Sequence, residues 1–228
     1  MSKLAFIFPG QGAQKAGMGK DFYENSEAAR SFFDNAQKIL DFDLKEMCFG
    51  EHEELNLTEY TQPCMVSVCL AIVQELKKRG INPDITAGLS LGEYAAVAAA
   101  GGMNELDAIK LVRRRGILMQ STVPAGEGAM AAVLGLDAKK IEEILESFEN
   151  VWIANYNCPG QIVITGDVSA IERAQELCKE RKMRCTRLAT AGAFHSPLMR
   201  SASDEVREFC ATLSFSEPRI PLICNTDA

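Results

Sequence analysis

The stretch Ile85-Thr-Ala-Gly-Leu-Ser-Leu-Gly-Glu-Tyr-Ala-Ala96 joins a short apolar segment to an alanine-rich one. The first segment, Ile85 to Gly88, predicts a buried strand, and Leu91 to Ala100 predicts a helix. Between them the chain reads Gly-x-Ser-x-Gly, with Ser90 in the centre. A sharp strand-to-helix turn of this kind needs small residues beside the serine and exposes its hydroxyl at the start of the helix. The stretch therefore predicts an α/β fold with Ser90 as a candidate nucleophile.

Segments on either side of this turn repeat the alternation of strands and helices. Leu4 to Phe8 is a short apolar run stopped by Pro9-Gly10, which predicts a buried strand. Helical spacing of apolar residues extends over 21–48, 62–79 and 104–120. Strands that alternate with helices in this way favour a core built on a parallel sheet.

The pattern changes after Val123 and predicts a second module. The chain then reads strand (129–136), helix (137–148), two strands (151–156 and 161–165), helix (169–182) and strand (184–189). The order βαββαβ is that of the ferredoxin-like unit. A helix over 197–212 and a strand over 220–223 follow. We predict a large α/β domain formed by residues 1–124 and 197–228, with a small ferredoxin-like subdomain inserted at 125–196.

Composition excludes several classes of protein. The chain has 228 residues, of which 47% are hydrophobic and 24% charged, as in a folded globular protein. Its net charge of −7 opposes non-specific binding to nucleic acids or anionic membranes. The N-terminus lacks a signal-peptide pattern, so we expect a cytoplasmic protein. Eight cysteines without a C-x-x-C pair, beside only two histidines, favour reduced structural thiols, and we expect no metal and no cofactor.

A nucleophilic serine needs a base, and the two histidines are the candidates. His52 lies in the charge run Glu51-His-Glu-Glu54, which is typical of a solvated surface. His195 lies in the small-residue loop Ala191-Gly-Ala-Phe-His-Ser-Pro197, where the inserted module rejoins the large domain. His195 is therefore the candidate base, while a structural loop histidine stays open as the alternative. No acidic third member stands out.

Helix geometry separates the three consecutive arginines Arg113, Arg114 and Arg115. At about 100° per residue, Arg115 shares the apolar stripe of the predicted helix, whereas Arg114 shares a polar face. A guanidinium on an apolar stripe needs an anionic partner, and no acidic residue shares that stripe. Arg115 is a candidate for binding a carboxylate, and a structural ion pair with a distant acid is an equal alternative.

The loop Pro9-Gly-Gln-Gly-Ala-Gln14 follows the first predicted strand. Lys15 breaks the dinucleotide-binding pattern, and Met18 stands where a P-loop requires lysine. A glycine-containing loop at the end of a strand can instead supply a backbone N–H to an oxyanion hole. The N–H of Leu91, the residue after the candidate nucleophile, is the other expected donor.

Taken together, these motifs resemble the malonyl-CoA:acyl-carrier-protein transacylases of fatty acid synthesis. The resemblance covers essentially the whole chain and rests on seven segments: Phe8-Pro-Gly-Gln-Gly12, Thr61-Gln-Pro63, Gly88-Leu-Ser-Leu-Gly-Glu-Tyr94, Arg115-Gly116, Gly126 to Leu136, Asn157-Cys-Pro-Gly-Gln161 and Phe194-His195-Ser196. It implies a hydrolase-like α/β core with a ferredoxin-like insertion. It also implies transfer of a malonyl group from malonyl-CoA to acyl carrier protein through a malonyl-serine intermediate.

The resemblance also assigns roles to individual residues. Ser90 and His195 would be the nucleophile and its base, and Arg115 would bind the malonyl carboxylate. The backbone N–H groups of Gln11 and Leu91 would form the oxyanion hole. The remaining two assigned residues, Gln62 and Phe194, would line the substrate pocket.

The sequence departs from the family pattern in one respect, and three alternative functions remain open. Family members continue past the position of Ala228, so we expect a piece of the large domain to be missing. The same residues would serve a discrete acyltransferase of a polyketide synthase. A serine thioesterase or esterase would share Ser90 and His195 but would have no use for Arg115, and a non-catalytic binding domain would not need Ser90. We expect a monomer whose partners are malonyl-CoA and acyl carrier protein, not nucleic acid or a membrane.

Overall fold

A computed structural model of the chain describes residues 3–123, 126–188 and 192–226. The chain packs as two compact units: a large unit, Met1–Ile117 with Val206–Ala228, and a small unit, Leu118–Glu205. The domain ends predicted at 1, 124, 125 and 228 lie outside the described residues, and that domain division stays a prediction. Among the described helices, none combines the length and apolarity needed to span a bilayer.

Strands and helices are numbered in chain order. The strands are β1 (Ala5–Phe8), β2 (Ile85–Gly88), β3 (Gly128–Leu134), β4 (Val151–Cys158), β5 (Gln161–Asp167), β6 (Arg184–Arg187) and β7 (Leu222–Ile223). The helices are α1 (Lys20–Asn25), α2 (Glu27–Gln37), α3 (Leu44–Phe49), α4 (Thr58–Lys78), α5 (Leu91–Ala99), α6 (Glu105–Thr122), α7 (Ala138–Leu145), α8 (Val168–Glu180) and α9 (Arg200–Cys210). Short 3₁₀ helices cover Glu53–Asn56 and Pro197–Met199.

The large unit is built on a parallel sheet with the order β1-β2-β7. Phe8 lies opposite Gly88, and Ala87 lies opposite Ile223. Because the strands are parallel, the loops that follow them leave the sheet at the same edge. This edge is where an α/β fold places its functional residues, and it carries the Gly-x-Ser-x-Gly turn.

One long helical segment, predicted over 21–48, is wrong. The structure has the three separate helices α1, α2 and α3 in its place. Ser26 is extended and its hydroxyl accepts a hydrogen bond from the N–H of Ala29, so it ends one helix and caps the next. Asp43 caps α3 in the same way through the N–H of Glu46. Apolar spacing continued across both caps, which is why periodicity alone joined the helices.

The central helix α4 is buried along most of its length, and its carboxyl-terminal part holds a buried carboxylate. Glu75 is 8% exposed. The Ser26 hydroxyl donates a hydrogen bond to Glu75, and the Arg79 guanidinium donates another. The start of α2 is thereby fastened to α4 by a charge-assisted hydrogen bond.

Replacing Glu75 with Gln is expected to reduce the acid sensitivity of unfolding. The hydrogen bond from Ser26, and then that from Arg79, lowers the pKa of Glu75. A carboxylate with a lowered folded pKa stabilises the fold above its unfolded pKa, and this contribution is lost as the pH falls through the folded value. Urea unfolding from about pH 7 to about pH 3 should show a smaller loss of stability for Glu75→Gln than for wild type. Exposed Glu27→Gln is the control, and equal pH dependence of Glu75→Gln and wild type would contradict the role.

The small unit is a four-stranded antiparallel sheet with the order β4-β5-β3-β6. One face packs against α7 and α8 through a cluster that includes Ala131, Val133, Ile164 and Ile171. Alternate residues of the same strands, such as Met130 and Val163, point to the opposite face. The predicted fold class, a hydrolase-like parallel-sheet core with a ferredoxin-like βαββαβ module, is confirmed. Within that module, the predicted strand over 184–189 is shorter, since β6 ends at Arg187 and residue 189 lies outside the described residues.

Candidate active site

Ser90 lies at the turn between β2 and α5, immediately before the first helical residue. Its backbone has φ 48° and ψ −101°, a conformation that a residue with a side chain rarely adopts. Strain of this kind persists only where surrounding contacts hold it in place, and it is concentrated at functional sites. The predicted sharp turn is thus present, with the half-buried Ser90 at its tip.

The two glycines that flank Ser90 are required by close backbone contacts. A Cβ at Gly88 would overlap the main chain of Gly92 and Glu93, and a Cβ at Gly92 would overlap the carbonyl of Phe8. Helix α5 therefore begins directly against the ends of β1 and β2. The Gly-x-Ser-x-Gly spacing is the consequence of this packing.

The loop after β1 lies beside the turn after β2. The N–H of Leu89 donates a hydrogen bond of 3.1 Å to the carbonyl of Phe8. A Cβ at Gly10 would lie 2.8 Å from the carbonyl oxygen of Leu89, so the two loops touch through their backbones. The Gln11 side chain then anchors the loop by donating to the Thr58 hydroxyl at 3.0 Å.

Two backbone N–H groups remain available at this edge of the sheet. Among the described residues, neither the N–H of Gln11 nor that of Leu91 donates to a protein acceptor. The neighbouring Gly12 N–H is used internally, because it donates to Oε1 of Gln14 at 2.7 Å. Unused donors beside a serine hydroxyl are the elements of an oxyanion hole.

Arg115 lies on α6 and is held by neutral groups. Its Nη1 donates to Oε1 of the fully buried Gln62 at 2.7 Å, and its guanidinium carbon lies 5.2 Å from the centre of the Tyr94 ring. Helices α4 and α6 approach closely here, because a Cβ at Gly116 would lie 2.8 Å from the carbonyl oxygen of Thr58. Within the described part of the chain, no carboxylate lies within ion-pair distance of Arg115.

Arg113, two residues earlier, is fully paired. It makes two hydrogen bonds of 2.9 Å to the carboxylate of Asp41 and one of 3.1 Å to the carboxylate of Glu59. Its hydrogen bonding lowers the pKa of Asp41. Arg113 also donates to the carbonyl of Glu59, which lacks its helical donor because Pro63 has no N–H. Among the residues that the structure describes, Arg115 has no carboxylate partner, whereas Arg113 has two.

His195 and Phe194 belong to the small unit. His195 is exposed and has φ 57°, in a turn closed by the Ser196 hydroxyl, which donates to the carbonyl of Ala193 at 2.6 Å. Phe194 is 6% exposed and packs in a cluster with Met130 and other apolar residues. The other histidine, His52, lies 3.0 Å from Glu46 at the surface of the large unit. The roles predicted for His195 and Phe194 stay predictions.

Two residues near Ser90 escaped the sequence reasoning. Tyr94 belongs to the Ser90 motif without an assigned role, although its ring faces the Arg115 guanidinium. The sequence patterns assign no role to Asn225, yet its carboxamide binds the backbone on both sides of Leu89. A polar residue just after a predicted strand of a parallel sheet was the available signal, because such positions reach the functional edge.

Comparison with known proteins identifies the family. Residues 5–228 match the acyl transferase domain family. The chain belongs to that family. This acyl transferase is 44% identical over 234 residues to the malonyl CoA-acyl carrier protein transacylase of Bacillus subtilis, covering 100% of the chain and 74% of the relative. The resemblance inferred from the motifs is therefore confirmed.

Solved structures of transacylases share the fold of this acyl transferase. The enzyme from Streptococcus pneumoniae superposes with a TM-score of 0.93 at 42% identity, covering 99% of the chain and 75% of that structure. A malonyl-transacylase solved in complex with its type II PKS acyl-carrier protein superposes with a TM-score of 0.92 at 37% identity. The match covers 99% of the chain and 75% of that structure. The acyl transferase thus spans about three quarters of the length of these relatives.

Proposed function

We propose that Ser90 carries the malonyl group between malonyl-CoA and the thiol of acyl carrier protein. Malonyl transfer to acyl carrier protein is the activity of this acyltransferase, in line with the relatives that bear that name. The observation that carries the role of Ser90 is its strained backbone at the carboxyl edge of the parallel sheet, next to Leu91 and beside the loop that holds Gln11. Within the described residues, the N–H groups of Gln11 and Leu91 donate to no protein acceptor. A hydroxyl beside preorganised donors is suited to a reaction that passes through an oxyanion.

The reaction proceeds in two displacements. The Ser90 oxygen attacks the thioester carbonyl of malonyl-CoA and transfers its proton to His195, and the carbon–sulfur bond breaks as CoA leaves with that proton. The phosphopantetheine thiol of acyl carrier protein then gives its proton to His195 and attacks the malonyl ester. The Ser90 oxygen recovers the proton when the ester bond breaks. The N–H groups of Gln11 and Leu91 stabilise the negative oxygen in both steps.

His195 is assigned as the base because the alternative histidine is engaged elsewhere. His52 is paired with Glu46 on the large unit, and the sequence has two histidines in all. His195 has a positive φ and is exposed, which favours a functional residue accessible to substrate over a residue packed in the core.

Arg115 selects the malonyl group by its carboxylate. Its guanidinium is oriented by Gln62 and Tyr94 but neutralised by no carboxylate in the described chain. A half-buried cation in this state gains an ion pair when a malonyl group binds, and acetyl groups cannot supply one. A thioesterase would make no use of this cation, so the arrangement favours malonyl transfer over hydrolysis.

Two kinds of carrier protein could receive the malonyl group from Ser90. We assign the acyl carrier protein of fatty acid synthesis, and the relative bound to a type II PKS acyl-carrier protein makes a polyketide carrier the second candidate. The ratio of kcat/KM for the two carriers distinguishes these functions. We also propose that the protein is a monomer and that it acts in the cytoplasm.

Intact-mass analysis after mixing with malonyl-CoA tests the covalent step. We expect a gain of one malonyl group, located on Ser90 by peptide mapping, and loss of that group when acyl carrier protein is added. Transfer to the carrier should outrun hydrolysis of the malonyl ester. Transfer without any malonyl-protein would contradict the two-step route, and hydrolysis that outruns transfer would favour the thioesterase.

A further inference from the structure

Asn225 bridges the two sides of the Ser90 turn with a single carboxamide. Its Oδ1 accepts a hydrogen bond of 2.7 Å from the N–H of Ser90, and its Nδ2 donates one of 2.6 Å to the carbonyl of Gly88. Both partners are main-chain atoms, on either side of Leu89. Asn225 is 135 positions away from Ser90 in the sequence, so this is a tertiary contact.

The sheet brings Asn225 to this place. Strand β7 pairs in parallel with β2, with Ile223 opposite Ala87. The chain leaves β7 at the same edge as it leaves β2, and Asn225 follows two residues after Ile223. The carboxamide therefore reaches the turn from a strand on the side of β2 away from β1.

We propose that Asn225 is a positioning residue that holds the Ser90 backbone in its strained, reactive conformation. This inference rests on the proposed role of Ser90 as nucleophile. A positive φ at a residue with a side chain relaxes unless other contacts maintain it. The N–H of Ser90 precedes α5 and has no acceptor within that helix, so Asn225 supplies one. The donor half of the same carboxamide fixes the carbonyl at the end of β2.

The expected consequence is a change in rate rather than in substrate binding. The peptide between Ser90 and Leu91 carries the N–H proposed for the oxyanion hole, and its orientation follows from the Ser90 dihedral angles. A small rotation moves both the nucleophile and this donor, and a displacement of about 1 Å can cost about a hundredfold in rate. The contacts of Arg115 with Gln62 and Tyr94 do not involve Asn225.

Rapid-quench measurement of Ser90 malonylation tests the proposal. For Asn225→Ala we expect the maximal rate to fall about 10- to 100-fold, with the malonyl-CoA concentration for half-maximal rate changed less than about twofold. Thr226→Ala, in the neighbouring exposed residue, is the matched control and should keep the wild-type rate. A thermal melt shows whether each variant remains folded.

Asn225→Asp separates the two hydrogen bonds. A carboxylate still accepts from the N–H of Ser90 but repels the carbonyl of Gly88, whereas a protonated carboxyl can donate to that carbonyl. The rate of Asn225→Asp relative to wild type should therefore rise as the pH is lowered from about 8 to about 5. A residue that served only global stability would not produce this dependence.

The outcomes are distinct. A folded Asn225→Ala variant that malonylates Ser90 at the wild-type rate overturns the positioning role. So does an Asn225→Asp variant whose malonylation rate equals that of wild type at every pH from about 5 to about 8. Wild-type protein that becomes malonylated at another residue overturns the assignment of Ser90 instead. A slower maximal rate at Ser90 with unchanged half-saturation, together with the pH dependence of Asn225→Asp, supports the proposal.

Discussion

Ser90→Ala is expected to abolish the malonyl-protein and to lower malonyl transfer by a factor of at least about 10³. The substitution removes the oxygen that forms the ester and leaves the rest of the turn intact. Alanine keeps the Cβ of serine, so the backbone strain at φ 48° is the same in both proteins. The variant should therefore fold and bind malonyl-CoA while failing to react. Intact mass and transfer rate measure the two effects.

Ser31→Ala is the control for the loss of a hydroxyl. Ser31 is exposed on α2 and has no part in the proposed site, so its variant should malonylate and transfer like wild type. A Ser90→Ala protein that still gains one malonyl group at the wild-type rate would place the nucleophile elsewhere. A non-catalytic binding domain would likewise keep its function in this variant.

Arg115→Ala is expected to lower kcat/KM for malonyl-CoA about 10²- to 10³-fold, with little loss for acetyl-CoA. The malonyl carboxylate loses its cation, while a substrate without a carboxylate never used it. Removal of the side chain also leaves the buried carboxamide of Gln62 without the Arg115 donor. The measured quantity is the ratio of kcat/KM for the two thioesters, in which any general loss of active protein cancels.

Arg113→Ala is the matched control on the same helix. Arg113 is bound to Asp41 and Glu59 and stacks near two aromatic rings, so its loss should lower the melting temperature. It should not change the ratio of malonyl to acetyl use. An unchanged ratio in Arg115→Ala, or an equal change in both variants, would remove Arg115 from substrate selection.

Local sequence was sufficient to predict the strand, the turn and the helix around Ser90. Each requirement of the turn is met by residues within ten positions of Ser90: an apolar strand, glycines where the backbone is crowded, and a helix-forming alanine run. Such short-range requirements leave a readable pattern because the residues that must fit together are also neighbours in the chain. The order βαββαβ of the small unit could be predicted for the same reason, since each strand and helix shows its own period.

Prediction failed where one element depends on a cap or a distant contact. The apolar period runs through 21–48 without a break, yet Ser26 and Asp43 cap new helices there. Helix α4 begins at Thr58, before the predicted position 62, and includes Pro63. The carbonyl that Pro63 leaves without a helical donor is satisfied by Arg113, 54 positions from Glu59. No local sequence pattern predicts this hydrogen bond from Arg113 to the carbonyl of Glu59.

Periodicity, turn chemistry and residue type were sufficient to predict the fold class and to mark Ser90, Arg115 and His195 as candidates. Which of Arg113 and Arg115 lacks a carboxylate partner among the described residues follows from the folded chain, since Arg113 reaches acids on other elements. The tertiary structure also revealed Asn225 beside Ser90. Parallel strands bring residues far apart in the chain to one edge of a sheet, and the contacts made there exist only once the sheet has formed.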